Sequence, residues 1–418
     1  MVLVTLGPAA NSARSQDSTR ARLDSLVEAL RLAQARLDAL ERQVADAAES
    51  GVHTRSGTRM EISGRVMVQA FANTRRVNNV DDPQFVRPDT SDAVPVRGGG
   101  MTMRQSLIAI RVTSPDVAGA QFSGDVQTDF YGGQQPSSGG RTFPLVRLRI
   151  ARASLRWAKS ELMVGQDAPL IAQVNPVSIA ASGTPNFAAA GNLWLWLPQA
   201  RLTIGGMAPK TAAIQLAVVA PTNGDPAAAF DTDLDPAERS QRPFFEGRMR
   251  VRWEMSERPG EMGCGGHIGW IAINGSGLTP RSLVPSQAVA CDIVAPMSIL
   301  ELRAEAYKGQ ALRGLGGGGI GQSTSPTSTA VHDVGGWAQI NVAPSTIWSV
   351  GAGYGIDNPR DSDISPTGRL RNAAGAVYFT THPAGPLLLG VELRRVATTY
   401  AGRKLVNDHF NLAFGFEF

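Results

Sequence analysis

Phe410-Asn411-Leu412-Ala413-Phe414-Gly415-Phe416-Glu417-Phe418 is the stretch on which the reading of this chain turns. Successive side chains of a strand point to opposite faces. One face here is Phe410, Leu412, Phe414, Phe416 and Phe418; the other is Asn411, Ala413, Gly415 and Glu417. Such a strand turns its aromatic face either to lipid or to the core of a soluble β-protein at a half-buried edge. The preceding sequence has to decide between them.

The same period of two runs back to residue 59. Strand-like runs span 59–73, 102–113, 118–131, 143–157, 161–167, 199–206, 211–221, 244–255, 264–274, 287–295, 298–309, 332–343, 346–356, 368–382, 387–400 and 404–418, about sixteen in all. Strand 59–73 sets Met60, Ile62, Val66 and Val68 against Glu61, Ser63, Arg65 and Gln69. Strand 118–131 sets Phe122, Val126 and Phe130 against Gln121, Ser123, Asp125, Gln127 and Asp129. Strand 244–255 sets Met249, Val251, Trp253 and Met255 against Arg248, Arg250, Arg252 and Glu254. So many charges on one face need water, and a closed sheet around a wet lumen supplies it while removing unpaired edges. The connections also sort by length. Long ones (74–101, 132–142, 168–198, 222–243, 310–331, 357–367) alternate with tight ones (114–117, 158–160, 343–345, 383–386), and only 401–403 breaks the pattern. A membrane barrel shows this sorting and a sandwich does not. Aromatic residues are only 6% of the chain, which counts mildly against a barrel with aromatic girdles.

Composition agrees with that class. No run approaches the roughly 18 apolar residues of a membrane helix, which says nothing against strands that hide their apolar face by alternation. Lysine occurs only at Lys159, Lys210, Lys308 and Lys404, so arginine supplies nearly all the basic charge. Genome composition alone explains such a bias, yet the placement of the arginines is informative. The two cysteines, Cys264 and Cys291, have no metal-ligand spacing. Cys291 should face lipid, and a disulfide is possible but disfavoured. No cofactor or metal is expected.

The first 58 residues differ in kind. Residues 1–15 read as the remnant of a signal peptide or as a disordered leader. Within 16–50, Leu23, Leu26, Leu30, Ala33, Leu37, Leu40, Val44 and Ala47 step alternately by three and four. That is the a/d seam of a coiled coil, and it favours self-association over a lone amphipathic helix. Its leucines do not by themselves separate two strands from three. Residues 51–58 form a linker, and 59–418 the barrel. The fold class is therefore all-β, a sixteen-stranded antiparallel transmembrane barrel preceded by an α-helical coiled coil.

Several features in order carry a resemblance: the heptads at 23–47; Glu61-Ile62-Ser63-Gly64-Arg65-Val66 opening the first strand; Arg147-Leu148-Arg149-Ile150-Ala151-Arg152 leading to Val164-Gly165-Gln166-Asp167; and the terminal Phe418. The chain resembles the trimeric outer-membrane porins with an N-terminal periplasmic coiled coil, of the DcaP type, and more distantly the phosphate-selective porins. The resemblance implies a homotrimer in the bacterial outer membrane, each subunit around its own pore, with the coiled coil in the periplasm. It implies Phe414, Phe416 and Phe418 as the insertion signal read by the barrel-assembly machinery, and Leu23, Leu26, Leu30, Leu37, Leu40 and Val44 as the trimerisation seam. It also implies a third loop, 168–198, folded inward as a constriction.

The lumen chemistry then rests on two arginine rows. Strand 143–157 offers Arg147 and Arg149, then Arg152 and Arg156 after a one-residue slip that suggests a β-bulge. Strand 244–255 offers Arg248, Arg250 and Arg252. Guanidinium stays charged and binds carboxylate or phosphate as a fork, so such rows favour anions. The alternative is that they merely pair with Asp125, Asp129, Glu254, Glu301 and Glu305. Loop 168–198 carries no charge and offers Gln173, Asn175, Asn186, Asn192, Trp194 and Trp196. A basic wall and a neutral lid predict passage of small organic anions such as carboxylates. Trp194 and Trp196 could instead form an aromatic belt or a trimer contact.

Other motifs dissolve on inspection. Gly314–Gly319 matches GxGxxG but lacks the strand before and the helix after that a dinucleotide site needs. Asp231, Asp233 and Asp235 begin like a calcium loop, but Pro236 and Arg242 stand at its key positions, leaving at most a weak surface cation site. Basic patches interleaved with aromatics are absent, so no nucleic acid is expected. His332-Asp333 and Asp408-His409 are neighbours on opposite faces, and no serine sits in a nucleophile elbow. The chain reads as a non-enzymatic porin in contact with outer-membrane lipid. A non-conducting tether or adhesin-type barrel anchored by its coiled coil is the alternative.

Overall fold

The computed structural model describes residues 52–53, 57–89, 97–132, 144–181, 183–205, 210–224, 234–255, 258–273 and 282–418. The expected leader and the 16–50 coiled coil lie outside the described residues. The chain divides into two units, Met1–Glu61 and Ile62–Phe418. In the first, Val52 and His53 pair with Met60 and Arg59.

The second is a barrel of sixteen antiparallel staves. In chain order they are β1 (Arg59–Asn73), β2 in two pieces (Gly98–Thr102 and Leu107–Val117), β3 (Ala120–Gly132), β4 (Leu145–Arg156), β5 (Ser160–Asp167), β6 (Leu197–Gly205), β7 (Ala212–Val219), β8 (Phe244–Met255), β9 (Arg258–Ile273), β10 (Ser282–Met297), β11 (Leu300–Gln310), β12 (His332–Val342), β13 (Trp348–Pro359), β14 (Arg371–Thr381), β15 (Leu387–Tyr400) and β16 (Arg403–Glu417). Each pairs with its chain neighbour, and β16 returns to β1 through Phe410↔Ala72 to Glu417↔Arg65. Gly64 and Phe418 exchange both backbone hydrogen bonds, at 2.8 and 3.0 Å, and so close the ring.

The closing strand folds as its alternation dictates. Phe410, Leu412, Phe414, Phe416 and Phe418 are exposed on the outer wall, whereas Asn411 and Ala413 are buried inward. The sorting of connections also holds. Turns such as 118–119, 157–159 and 298–299 mark one rim, and the long loops mark the other.

β2 is interrupted where the sequence reading had one run. At the break Arg104 turns to Asp81, with Nε at 3.0 Å from the carboxylate, and lies 4.3 Å over the Tyr131 ring. Ser106 stands in for the lost ladder by bonding both the amide and the carbonyl of Met67, at 3.0 and 3.3 Å. The predicted bulge in β4 is present. Gln127 pairs with Ile150 but Thr128 pairs with Leu148, so Arg149 is the extra residue.

The expectation against a disulfide is overturned. β9 starts at Arg258, six residues before the 264–274 run that alternation suggested, so Cys264 lies in mid-strand rather than at an end. Register places it directly opposite Cys291 on β10, with Cα atoms 4.1 Å apart, and the two are bonded. Cys291 does face outward.

The core lies inside the barrel. Leu170, Ile171 and Leu193 of loop 168–196 pack with Leu312 and Leu315 of loop 311–331 against Phe244, Ile271 and Val284 of the wall. Each such buried aliphatic contributes ~1.5–3 kcal/mol. A second cluster joins Val86 of loop 74–97 and Phe187 to Trp337 and Val396. A third joins Ile179 to Met67 and Leu388. Three loops thus fill much of the lumen.

Candidate functional site

Loop 168–196 has no charged side chain, and its backbone is held by the wall. The Leu170 amide donates to Glu246, Gln173 to Asp292 at 2.8 Å, Val177 to Gln339 at 2.7 Å and Leu193 to Glu305 at 3.0 Å. Glu392 accepts from the Ser178 hydroxyl at 2.6 Å and from the amides of Ile179 and Ala180 at 3.0 and 3.2 Å. Buried polar groups are costly unless hydrogen-bonded, so these five wall side chains, four carboxylates and one amide, and the lid stabilise one another. The acidic groups missing from the loop are therefore present beneath it.

Of the four amides expected to line the constriction, Asn175 borders a lumen cavity, whereas Gln173, Asn186 and Asn192 brace the lid from within. Asn186 and Asn192 are each 1% exposed. Asn192 donates to the Asn186 carbonyl at 3.0 Å and to Asn175 at 3.3 Å. The Asn186 side chain accepts from the Phe187 amide at 3.0 Å. Gln173 donates to the carbonyls of Ala168 and Pro169 and accepts from Arg201. A long, largely apolar loop crossing the lumen must still satisfy its own backbone, and these amides help to do so.

The tryptophans face the lumen, which excludes them from the lipid belt. Trp194 and Trp196 pack edge to face with centroids 5.2 Å apart. Arg147 and Arg149 lie over the Trp196 ring at 5.2 and 4.6 Å. Arg147 also holds the Gly183 carbonyl of the lid.

The arginine rows point inward as predicted, and both are substantially paired. Arg147 and Arg149 share Asp129, at 2.6 and 3.7 Å. Arg152 reaches Asp125 at 3.2 Å and Asp167 at 2.8 Å, which also receive Arg111 and Arg201 at 2.9 and 3.4 Å. Arg156 pairs with Glu161 at 3.1 Å. Arg248 binds Asp292 and, at 2.8 Å, Glu261, which Arg250 and Arg252 approach at 4.0 and 2.7 Å. Of the carboxylates weighed from sequence, Asp125, Asp129 and Glu301 do take arginines, Glu301 from Arg258 and Arg303. Glu305 instead caps Leu193 and the Trp337 indole. Two arginines share one carboxylate at Asp129, three share two at Asp125 and Asp167, and three share two at Glu261 and Asp292. Each cluster keeps an excess of positive charge.

Two cavities flank this cluster. One of about 700 Å³ is lined by Arg87, Arg104, Arg147 and Arg313, with Phe85 and Trp194, and among the described residues no carboxylate lines it. Another, of about 480 Å³, is bounded by Arg65, Arg149, Trp196 and Glu417. The first touches Thr184, Arg147 and Trp194; the second touches Pro185, Arg149 and Trp196. The bulged segment of β4 and the tryptophan pair therefore stand between them. Gly316 and Gly317, at φ of +92° and +139°, let loop 311–331 approach this region. A Cβ on Gly316 would lie 2.5 Å from the Leu195 amide. That close approach explains the glycine run that imitated a dinucleotide motif.

One constellation escaped the sequence reading. His267 contacts Glu246 through Nδ1 at 3.0 Å and Ser286 Oγ through Nε2 at 3.2 Å, the order of a nucleophilic triad. Only register reveals it, because Glu246 faces His267 across two strands and Ser286 arrives from a third. Ser286 gives its proton to the Ala311 carbonyl at 3.0 Å, and Phe244 packs edge-on to the imidazole at 5.0 Å. All three side chains are buried and none lines either cavity. The group ties β8, β9 and β10 to the start of loop 311–331.

No family model matches the chain, and no curated relative does. Among solved structures it is similar to the outer membrane channel DcaP of Acinetobacter baumannii, with a TM-score of 0.66 at 14% identity over 88% of this chain and 100% of that one. It is also similar to an anion-selective porin from Comamonas acidovorans, with a TM-score of 0.56 at 9% identity over 86% of this chain and 100% of that one. OprB of Pseudomonas putida gives a TM-score of 0.54 at 9% identity over 89% and 95%. The likeness shows the fold, a sixteen-stranded barrel of the outer-membrane channel type.

Proposed function

We propose that the chain is a passive porin of the bacterial outer membrane, biased toward small anionic solutes such as carboxylates. The arginine-lined cavity of about 700 Å³, with no carboxylate among its described lining residues, carries this reading. An anion entering from the long-loop rim meets Arg87, Arg104 and Arg313, then Arg147 at the tryptophan pair. Past Trp196 it meets Arg149 and Arg65. Fixed guanidinium groups at close quarters lower the barrier for anions and raise it for cations. Because each arginine cluster also holds carboxylates, the bias is moderate rather than absolute. Arg152, Arg248, Arg250 and Arg252 contribute through the small positive excess of their clusters, and Arg156, matched by Glu161, adds a polar group to the wall without net charge. The size limit comes from Trp194, Trp196 and the lid backbone, with Gln173, Asn175, Asn186 and Asn192 fixing the lid's shape. The heptad seam from Leu23 to Val44 serves as a periplasmic trimerisation stalk, and the terminal aromatics Phe414, Phe416 and Phe418 as the signal for insertion.

The test is the reversal potential of the purified protein in a planar bilayer under a KCl gradient. Stepwise conductance with a chloride-favouring potential is expected. Conductance with a zero or cation-favouring potential overturns the anion bias while leaving the pore. The depth to which three loops fill the lumen supports one alternative, a non-conducting tether, and absence of conductance would select it.

A further inference from the structure

The end of β5, Val164-Gly165-Gln166-Asp167, holds one polar side chain that the pore does not explain. Asp167 faces the lumen and takes Arg152 and Arg201 at 2.8 and 3.4 Å. Gly165, at φ of +137°, brings β5 so close to β4 that a Cβ there would run into the Ala151 carbonyl. Gln166 lies between them. By alternation it shares the outer face with the exposed Leu162 and Val164, on the side away from the lumen. An amide turned toward lipid is costly unless it is hydrogen-bonded.

Its partners are two carbonyls of the β4 bulge. Gln166 Nε2 donates to the Leu148 carbonyl at 3.1 Å and to the Arg149 carbonyl at 2.9 Å. The ladder between β4 and β5 stops at Ala151↔Gln166, because the chain leaves the wall after Asp167 to form the lid. At the same level β4 carries its extra residue, with Gln127 opposite Ile150 and Thr128 opposite Leu148. The carbonyls of Leu148 and Arg149 thus lie beyond the last backbone that β5 offers them. In a membrane wall such groups must find a partner. The Gln166 side chain takes the place of the missing strand.

A bulge re-aims the side chain of its extra residue. That residue is Arg149, whose guanidinium lies 4.6 Å from the centre of the Trp196 ring, at the border of the smaller cavity. Arg147 is held by its own head group, which contacts Asp129 at 2.6 Å and the Gly183 carbonyl. Arg149 has only a 3.7 Å approach to the same carboxylate besides the ring. Its aim therefore depends on the backbone beneath it. A slip of one residue along the strand would turn it off the lumen face.

We propose that Gln166 is a positioning residue for permeation: from the outer side of the wall it clamps the β4 bulge and so holds Arg149 against Trp196 in the ion path. The inference rests on the reading of the chain as an anion-biased porin whose path runs past Arg149. It goes beyond that reading by placing a determinant of selectivity outside the lumen, on a side chain that no permeating ion touches.

The experiment compares the parent, Gln166→Met, Arg149→Gln and the double variant by reversal potential under a KCl gradient, with heat-modified mobility as the check on folding. Methionine keeps the length of glutamine, has no N–H to donate and suits a lipid-facing wall. A retreat of the guanidinium from ~5 Å to ~10 Å from the ion path lowers the chloride-to-potassium ratio about threefold. Arg149→Gln should lower it about fivefold, and the double variant should match Arg149→Gln alone, because Gln166 acts only through that side chain. Gln166→Asn, whose amide is one methylene too short, should also lower the ratio and replaces the Met variant if that one does not assemble. A parent-like ratio in the Gln166 variants, with the Arg149→Gln shift intact, overturns the proposal alone. A further fall in the double variant also overturns it and makes Gln166 a general support of the wall. No shift in Arg149→Gln overturns the proposal together with the reading of the ion path.

Discussion

Replacing Arg147 with Gln removes one positive charge from the larger cavity, beside the tryptophan pair that parts it from the smaller. Asp129 is then left with Arg149 alone, 3.7 Å away, so the excess charge of that cluster disappears. An ion passing ~5 Å from the guanidinium gains or loses ~0.8 kcal/mol in a water-like medium. Screening at 0.1 M salt, with a Debye length of ~10 Å, leaves ~0.5 kcal/mol. That is a little over twofold in local population for each ion, in opposite senses, or about fivefold in the chloride-to-potassium permeability ratio. The reversal potential under a KCl gradient should move toward zero by the corresponding amount. Arg147→Lys is the control, because it keeps the charge and loses the fork that holds Asp129 and Gly183. If Arg147→Gln leaves the reversal potential unchanged, the ion path does not run past Arg147. If Arg147→Lys shifts it as far as Gln does, lid geometry rather than charge sets selectivity.

Trp196→Ala should raise single-channel conductance and admit larger solutes in a liposome-swelling assay, because its indole stands between the cavities; an unchanged size limit would remove it from the constriction. Glu392→Gln takes the charge from a side chain that holds Ser178, Ile179, Ala180 and, at 3.0 Å, the buried Arg394. Weakening that buried pair should cost about 3 kcal/mol, read as a lower heat-modifiability midpoint and noisier open-channel current; a quiet channel with the parent midpoint would show that the lid does not depend on this anchor. Asp82 in loop 74–97 is pushed up to about 7 by burial, with Arg394 opposing and Asp81 and Glu392 adding to the rise. The fold thus favours its protonated form, so this group's stabilising effect is present at low pH and is lost as pH climbs from about 4 toward 7. Asp82→Asn should flatten that part of the stability-versus-pH curve, and an identical slope in both proteins would refute the assignment.

Strand number, facing and the sorting of loops were legible in the sequence because alternation is a local signal and every stave carries it. Phe410 to Phe418, Met249 to Met255 and the slip at Arg149 each follow from two or three neighbouring residues. What was not legible depends on register. Cys264 meets Cys291, and Glu246 meets His267, only once the pairing of β8, β9 and β10 is known, and a boundary error of six residues at Arg258 hid the first. The ion pairs are a similar case. Asp129 is on the strand beside Arg147, and alternation suggests the pair, but Arg248 reaches Asp292 from β8 to β10, past an intervening strand. The lid amides failed for another reason. Asn186 and Asn192 look like pore-lining groups in a loop with no charges, yet a buried loop spends its side-chain amides on its own carbonyls first.

The anchors of the lid also constrain the order of assembly. Glu246, Asp292, Glu305, Gln339 and Glu392 belong to staves spread from β8 to β15, while the loop they hold follows β5. The amides of residues 170–193 therefore have no wall partners until most of the barrel exists. A growing barrel would be an open wall first and a filled one last, with the loop seated by groups that enter the sheet long after the loop itself is made. Substitutions at the five anchors should then tell on the final step of maturation, after the strands have closed.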